Sequence, residues 1–193
     1  MSSEKKSART LQIRNIREVA SETRIFIDNR RTGKEKSLKV RSSKVNNCFM
    51  DGFDWGRIIT IAGLSGSGKS TLLRQWIKEI IEINKDEKFE VLSFQFEMLG
   101  IDEVARDLSS KLKTSVKKLY SAEDKLTEND LRNIDSCLDE ISKYPINIVD
   151  NLGSVPEIKD TIQYFVSTNN LIQSKKGLIV TIDHSLNYWG LQQ

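Results

Sequence analysis

The chain has 193 residues, with 30 Lys+Arg against 27 Asp+Glu, one His, two Cys and two Pro. That length is ample for one domain with an appendage, and a hydrophobic share of 38% with a net charge of +3 excludes a wholly disordered chain. The longest apolar runs, residues 58–64 and 178–182, are strand-sized and fall well short of the roughly 18 residues of a membrane span. No apolar stretch follows the charged opening, and Cys48 and Cys137 form neither a disulfide framework nor a metal-binding spacing. A soluble protein of a reducing compartment, expected in the cytoplasm, fits this composition.

Charge is unevenly distributed. Residues 1–47 hold 13 Lys+Arg against 5 Asp+Glu, a net of +8, whereas residues 48–193 hold 17 against 22, a net of −5. Two domains are therefore expected: a basic extension or linker over 1–47, and the folded core from 48. Arg24, Arg30, Arg31, Lys34, Lys36, Lys39, Arg41 and Lys44 would suit an arm on nucleic acid, because basic groups release counterions from phosphates. With Phe26 as its lone aromatic, the stretch reads slightly better as a solvated linker or partner-docking segment. Leu11, Ile13, Ile16 and Val19 would line a short helix, and residues 25–27 a short strand.

From residue 48, strand-like and helix-like segments alternate. Residues 57–62 form a β-branched run suited to a strand buried on both faces. Leu72, Leu73, Trp76, Ile77, Ile80 and Ile81 then recur at helical spacing, leaving Arg74, Gln75, Lys78, Glu79 and Glu82 on the polar side. Residues 90–96 read as the second strand, and Ile101, Val104, Ala105, Leu108 and Leu112 as the next helix. After the poorly patterned residues 113–126, Thr127 is an N-cap for a helix carrying Leu131, Ile134, Leu138 and Ile141. Pro145 precedes a third strand at 146–149. Ser154 and Glu157 form a capping-box pair for a helix with Ile158, Ile162, Phe165 and Ile172, closed by Gly177. The fourth strand is 178–182, ending at Asp183. Such interleaving predicts an α/β fold, a mainly parallel sheet with helices on both faces.

The segment Gly63-Leu64-Ser65-Gly66-Ser67-Gly68-Lys69-Ser70 satisfies the P-loop pattern G-x-x-x-x-G-K-[ST], with a strand before it and an amphipathic helix after it. The glycines permit positive φ and leave no Cβ in the way, so successive backbone N–H groups can turn toward phosphate oxygens. The positive end of the following helix strengthens that field. These eight residues and Thr71 are the expected nucleotide-binding set: Lys69 reaches the β- and γ-phosphates of ATP, and the Ser70 hydroxyl ligates Mg²⁺. Asp183 follows a buried apolar run and is a candidate metal-side carboxylate, in a Walker B arrangement. Asp150, after residues 146–149, is its rival on composition. Glu97, just past the second strand, is open between a group that activates water and a solvated strand-end acid. His184 would sense the γ-phosphate or, more simply, satisfy a local hydrogen bond. Trp55 would pack at the entrance to the first strand or touch the base.

The order of these motifs resembles the RecA-like ATPase domain of DnaB-type replicative hexameric helicases over roughly residues 48–189. Residues 52–57 (GFDWGR) resemble the family's lead-in to the P-loop strand, 93–98 (SFQFEM) its F-S-L-E-M segment, 145–150 (PINIVD) its P-L-x-I-x-D strand end, and 178–183 (LIVTID) its I-V-I-D-Y-L Walker B segment. The resemblance implies that Glu97 is the hydrolytic base, with Lys69 beside it in catalysis, and that Asp183 with Ser70 serves the metal. It further implies single-stranded DNA as track, a homo-oligomer that forms a hexameric ring in the intact protein, and a primase or loader as partner. His184-Ser185-Leu186 depart from the family's Tyr-Leu. The family's next strand, its DNA-binding loops and its arginine finger lie downstream of Asp183, so the domain is expected to be incomplete at its C-terminus and to belong to a longer helicase. Two other readings compete: an ATP-binding assembly or regulatory module without turnover, and a RecA-type recombinase or clock-type ATPase, for which the Phe-Glu-Met segment has no explanation.

Overall fold

A computed structural model describes residues 12–123 and 125–183, divided into two units, Met1–Arg57 and Ile58–Gln193. No helix among the described residues is long and apolar enough to cross a membrane.

In the first unit, Asn15 starts helix α1 (Ile16–Arg31): its Oδ1 accepts the Glu18 N–H at 3.0 Å, and its Nδ2 donates to Glu18 Oε1 at 2.6 Å. Arg30 and Arg31 occupy the last turn, where the helix dipole favours cations. Residues 25–27, expected as a strand, lie within this helix. Three apolar residues do not interrupt a helix started by a good cap and supported by the Arg24–Asp28 and Asp28–Arg31 pairs one turn apart. Helix α2 (Ser43–Cys48) follows, capped by Ser42. Leu38 and Phe53 form an antiparallel bridge with both bonds at 2.9 Å, and Leu38, Val40 and Phe53 are buried. The Arg30 guanidinium donates to Ser37 Oγ at 2.5 Å and to Asp54 Oδ1 and the Met50 carbonyl at 3.1 Å, tying helix to loop. Gly52, at φ +125, lies against Leu38, where a Cβ would meet the carbonyl oxygen at 2.6 Å. This unit extends to Arg57, beyond the boundary expected at residue 47.

The second unit is built on a three-stranded parallel sheet: β1 (Phe89–Gln95) lies between β2 (Ile146–Val149) and β3 (Gly177–Asp183). Val91 pairs with Ile146 and Phe94 with Val149; on the other side Phe89 pairs with Gly177 and Gln95 with Asp183. Helix α3 (Lys69–Ile83) precedes the sheet, and α4 (Gly100–Lys111), α5 (Val116–Tyr120) and α6 (Glu128–Ile141) lie between β1 and β2. Helix α7 (Val155–Thr168) lies between β2 and β3. Thr127 with Asp130, and Ser154 with Glu157, form the capping boxes of α6 and α7.

Two further expectations, both in the second unit, differ from what is observed. Residues 57–62 do not join the sheet among the described residues, which leaves the outer edge of β3 without a strand partner there. A strand of a parallel sheet gains its stability from cover on both faces, and here Ile58 is 97% exposed. Helix α7 ends at Thr168 rather than near Gly177, because Asn170 (φ +50) closes it: the Asn170 N–H reaches the Ser167 carbonyl at 3.2 Å, and the Leu171 N–H the Val166 carbonyl at 3.1 Å. Leu171 is buried beyond the turn and Ile172 is exposed.

The two sides of β1 differ in chemistry. Leu92 and Phe94 pack with Ile158 of α7, joined by Phe96, Val149, Ile162, Phe165 and Leu178, as the dry core. The opposite side carries Ser93 and Gln95, both buried: Gln95 Nε2 and Thr181 Oγ1 each donate to Ser93 Oγ at 2.8 Å. Alternation along the strand makes this division automatic.

Candidate functional site

The P-loop runs into α3 through Gly68, which is the helix N-cap at φ +89 and gives no side-chain cap. The first-turn N–H groups of α3 are thus free of the side-chain acceptor that most helices carry, and their dipole favours an anion. Gly66 is also left-handed, at φ +76. A Cβ on Gly63 would sit 2.7 Å from Ser67 Oγ, so this position is filled by the loop's own chain. Lys69 Nζ folds across the loop and donates to the carbonyls of Gly63 and Leu64, both at 3.0 Å. Carbonyls hold the ammonium in place without neutralising it. Gly-rich turn, uncapped helix start and unneutralised lysine together fit a polyphosphate such as ATP.

Behind the loop lies a cavity of about 230 Å³ between α3, α4 and the polar side of the sheet. Ser70 and Asp183 both line it, as do Ser93, Gln95 and Thr181. Asp183 is half-buried at the end of β3. A hydroxyl and one carboxylate facing a shared space suit Mg²⁺, which binds through few protein oxygens and keeps its remaining positions for phosphate and water. Among the described residues, no group of three or more His, Cys, Asp or Glu could hold a metal by itself.

The other acids separate by position. Asp150 does not line the cavity; its Oδ2 accepts the Gly100 N–H at 2.8 Å, at the start of α4. Glu97 is exposed in the connection after β1, at the same carboxyl edge of the sheet as Asp183. The Phe96 N–H donates to the Asp183 carbonyl at 3.2 Å, so Glu97 follows directly on a residue tied to the end of β3. Trp55 belongs to the first unit and Gly56 beside it is left-handed at φ +72; His184 lies outside the described residues.

Sequence reasoning missed a set of ion pairs. Arg74 and Lys78, placed on the solvent side of α3, are instead largely buried against α4: Arg74 Nε meets Glu103 Oε1 and Lys78 Nζ meets Asp107 Oδ1, both at 2.5 Å. A signal for this exists in the sequence, since two cations four apart on one helix match two carboxylates four apart on the next.

A glycine-rich loop opening a helix, beside a parallel sheet with carboxylates at its carboxyl edge, defines a P-loop nucleotide-binding domain of RecA-like architecture. The chain belongs to the DnaB-like helicase C terminal domain family, whose model matches residues 37–184. Among solved structures that share the fold, two are similar over most of this chain. One, an ATPase domain, is similar at TM-score 0.62 and 19% identity, over 86% of this chain and 56% of that one. The other, a DnaB-like replicative helicase solved to show its interactions with primase, is similar at TM-score 0.58 and 19% identity, over 87% of this chain and 42% of that one. The chain therefore spans about half the length of these structures. No curated protein sequence matches it.

Proposed function

We propose that the chain is the nucleotide-binding part of an ATP-dependent DNA helicase that acts in replication, coupling hydrolysis to movement along single-stranded DNA and unwinding of the duplex. The observation that carries this reading is the uncapped, left-handed entry into α3 at Gly68, with Ser70 and Asp183 lining one cavity behind it. Lys69 and the backbone from Gly63 to Thr71 bind the triphosphate, and Lys69 stabilises charge that develops on the γ-phosphoryl oxygens. Ser70 and Asp183, which line one cavity, would hold Mg²⁺, and the ion would supply positive charge to offset that of the phosphates. Glu97 orients the attacking water and takes its proton; it stands exposed at the carboxyl edge of the sheet, outside the lining of the cavity that Ser70 and Asp183 share. Membership of the family supports the remaining parts of the proposal: a homo-oligomeric hexameric ring, a cytoplasmic setting, and a primase or loader as partner.

Two substitutions test the assignment in the intact protein. Lys69→Ala abolishes ATP binding measured by equilibrium titration. Glu97→Gln keeps binding and lowers turnover by about 10²- to 10⁴-fold, the range for loss of a general base. Equal hydrolysis rates for the wild type and Glu97→Gln remove Glu97 from the mechanism.

A further inference from the structure

Asp150 has no part in the chemistry above, yet it is attached to the segment that carries Glu97. Its Oδ2 accepts the N–H of Gly100, the first residue of α4, across 50 positions of sequence. The N-cap of α4 is Leu99, which offers no side-chain acceptor, so a carboxylate from the end of β2 does the work of a cap. The contact is close: a Cβ on Gly100 would stand 3.2 Å from that same oxygen and 3.4 Å from Ile148 Cγ2. Glu97 lies in the short connection 96–99 between β1 and α4. One end of that connection is fixed by the Phe96 N–H on the Asp183 carbonyl, the other by Asp150 on Gly100. Further along α4, Glu103 and Asp107 are paired to Arg74 and Lys78 of the P-loop helix, which holds α4 in register with α3.

Building on the role of Glu97 proposed above, we infer that Asp150 is a positioning residue: by holding the first turn of α4 it sets where the Glu97 carboxylate stands for proton transfer. Without that acceptor the first turn of α4 turns to water, and the connection bearing Glu97 gains freedom at one end. A displacement of about 1 Å at a reacting group can lower a rate on the order of 10²-fold while leaving ground-state binding alone.

The experiment measures ATP hydrolysis and equilibrium binding of a fluorescent ATP analogue in the intact protein, for Asp150→Ala, Asp150→Asn and Gly100→Pro. Asp150→Ala and Glu97→Gln are also combined. Asp150→Ala lowers kcat about 10- to 100-fold with the dissociation constant unchanged within about twofold. Asp150→Asn, whose amide oxygen still accepts from Gly100, recovers most of that loss, and Asp150→Ala adds nothing to Glu97→Gln. Gly100→Pro deletes the donated N–H and sets its ring against Asp150 Oδ2 and Ile148, so the carboxylate must turn away and kcat falls likewise; the backbone admits proline at this first-turn position, after an extended Leu99 (φ −69, ψ 150). It serves should Asp150→Ala fail to fold. An unchanged kcat in the folded variants, binding that falls in step with kcat, or a loss that adds in full to Glu97→Gln overturns the inference. Full turnover by Glu97→Gln instead overturns the assignment of the base itself and the positioning role with it.

Discussion

Replacing Arg74 by Met isolates the energetics of the α3–α4 contact. Arg74 and Glu103 are only 14% and 13% exposed, and Glu103 Oε2 is buried without a hydrogen-bond partner among the described residues. Truncating the arginine leaves a carboxylate with one oxygen newly unpaired and the other already so. Loss of one partner from a fully buried pair costs about 3–5 kcal/mol; the residual exposure here scales that to about 2–3 kcal/mol. For a domain of this size, with an m-value of about 2 kcal/mol/M in urea, the unfolding midpoint of the second unit falls by about 1–1.5 M. The double variant Arg74→Met with Glu103→Leu removes both charges and fills the same space, so most of the loss returns. Urea titration of wild type, both singles and the double, followed by circular dichroism, gives the cycle. An Arg74→Met midpoint within about 0.2 M of wild type, or a double variant as unstable as the sum of the singles, would refute the reasoning.

Two further predictions concern the loop and the helix caps. Gly68→Ala meets no atom within 4 Å, yet forces φ +89 on a residue with a Cβ; it costs about 1–2 kcal/mol of thermal stability and weakens nucleotide binding, whereas Gly33→Ala, with the same open space and φ +71, weakens stability alone. Asp130 is held below its ordinary value first by the Thr127 backbone N–H, and Glu157 first by the Ser154 hydroxyl. Carboxyls depressed by folding stabilise above their unfolded values and lose that contribution as pH falls through the folded ones, so helicity declines on acidification below about pH 4. Asp130→Asn flattens that decline in a circular-dichroism pH titration; an identical acid limb would rule out the cap as its source.

Much of this fold is legible where one local signal stands without competition. Thr127 with Asp130, and Ser154 with Glu157, mark helix starts by side chains that can reach only their own first turn. The glycine pattern of 63–70 likewise states its own geometry, since left-handed backbone at Gly66 and Gly68 excludes most other residues. What fails is decided by neighbours distant in sequence. Residues 57–62 have strand chemistry, but a strand needs a partner edge, and composition does not say whether one is engaged. Residues 25–27 have the same chemistry and are helical because Asn15 begins a helix that continues through them. Asp150 and Asp183 are equivalent as strand-end acids; only the fold separates the one turned to Gly100 from the one that lines a cavity with Ser70. Arg74 and Lys78 look solvated until α4 is laid alongside them.

The alternation along β1 sets a rule for divergence. Leu92 and Phe94 face the dry layer, while Ser93 and Gln95 face the hollow that Ser70 and Asp183 share. Neighbouring positions therefore carry different demands: 92 and 94 must fill the dry layer, and 93 and 95 must both satisfy their buried hydrogen bonds and suit the hollow. A lineage that retunes its chemistry through this strand must also keep the Ser93, Gln95 and Thr181 hydrogen bonds satisfied, since a buried polar group left unpaired costs about 1–3 kcal/mol.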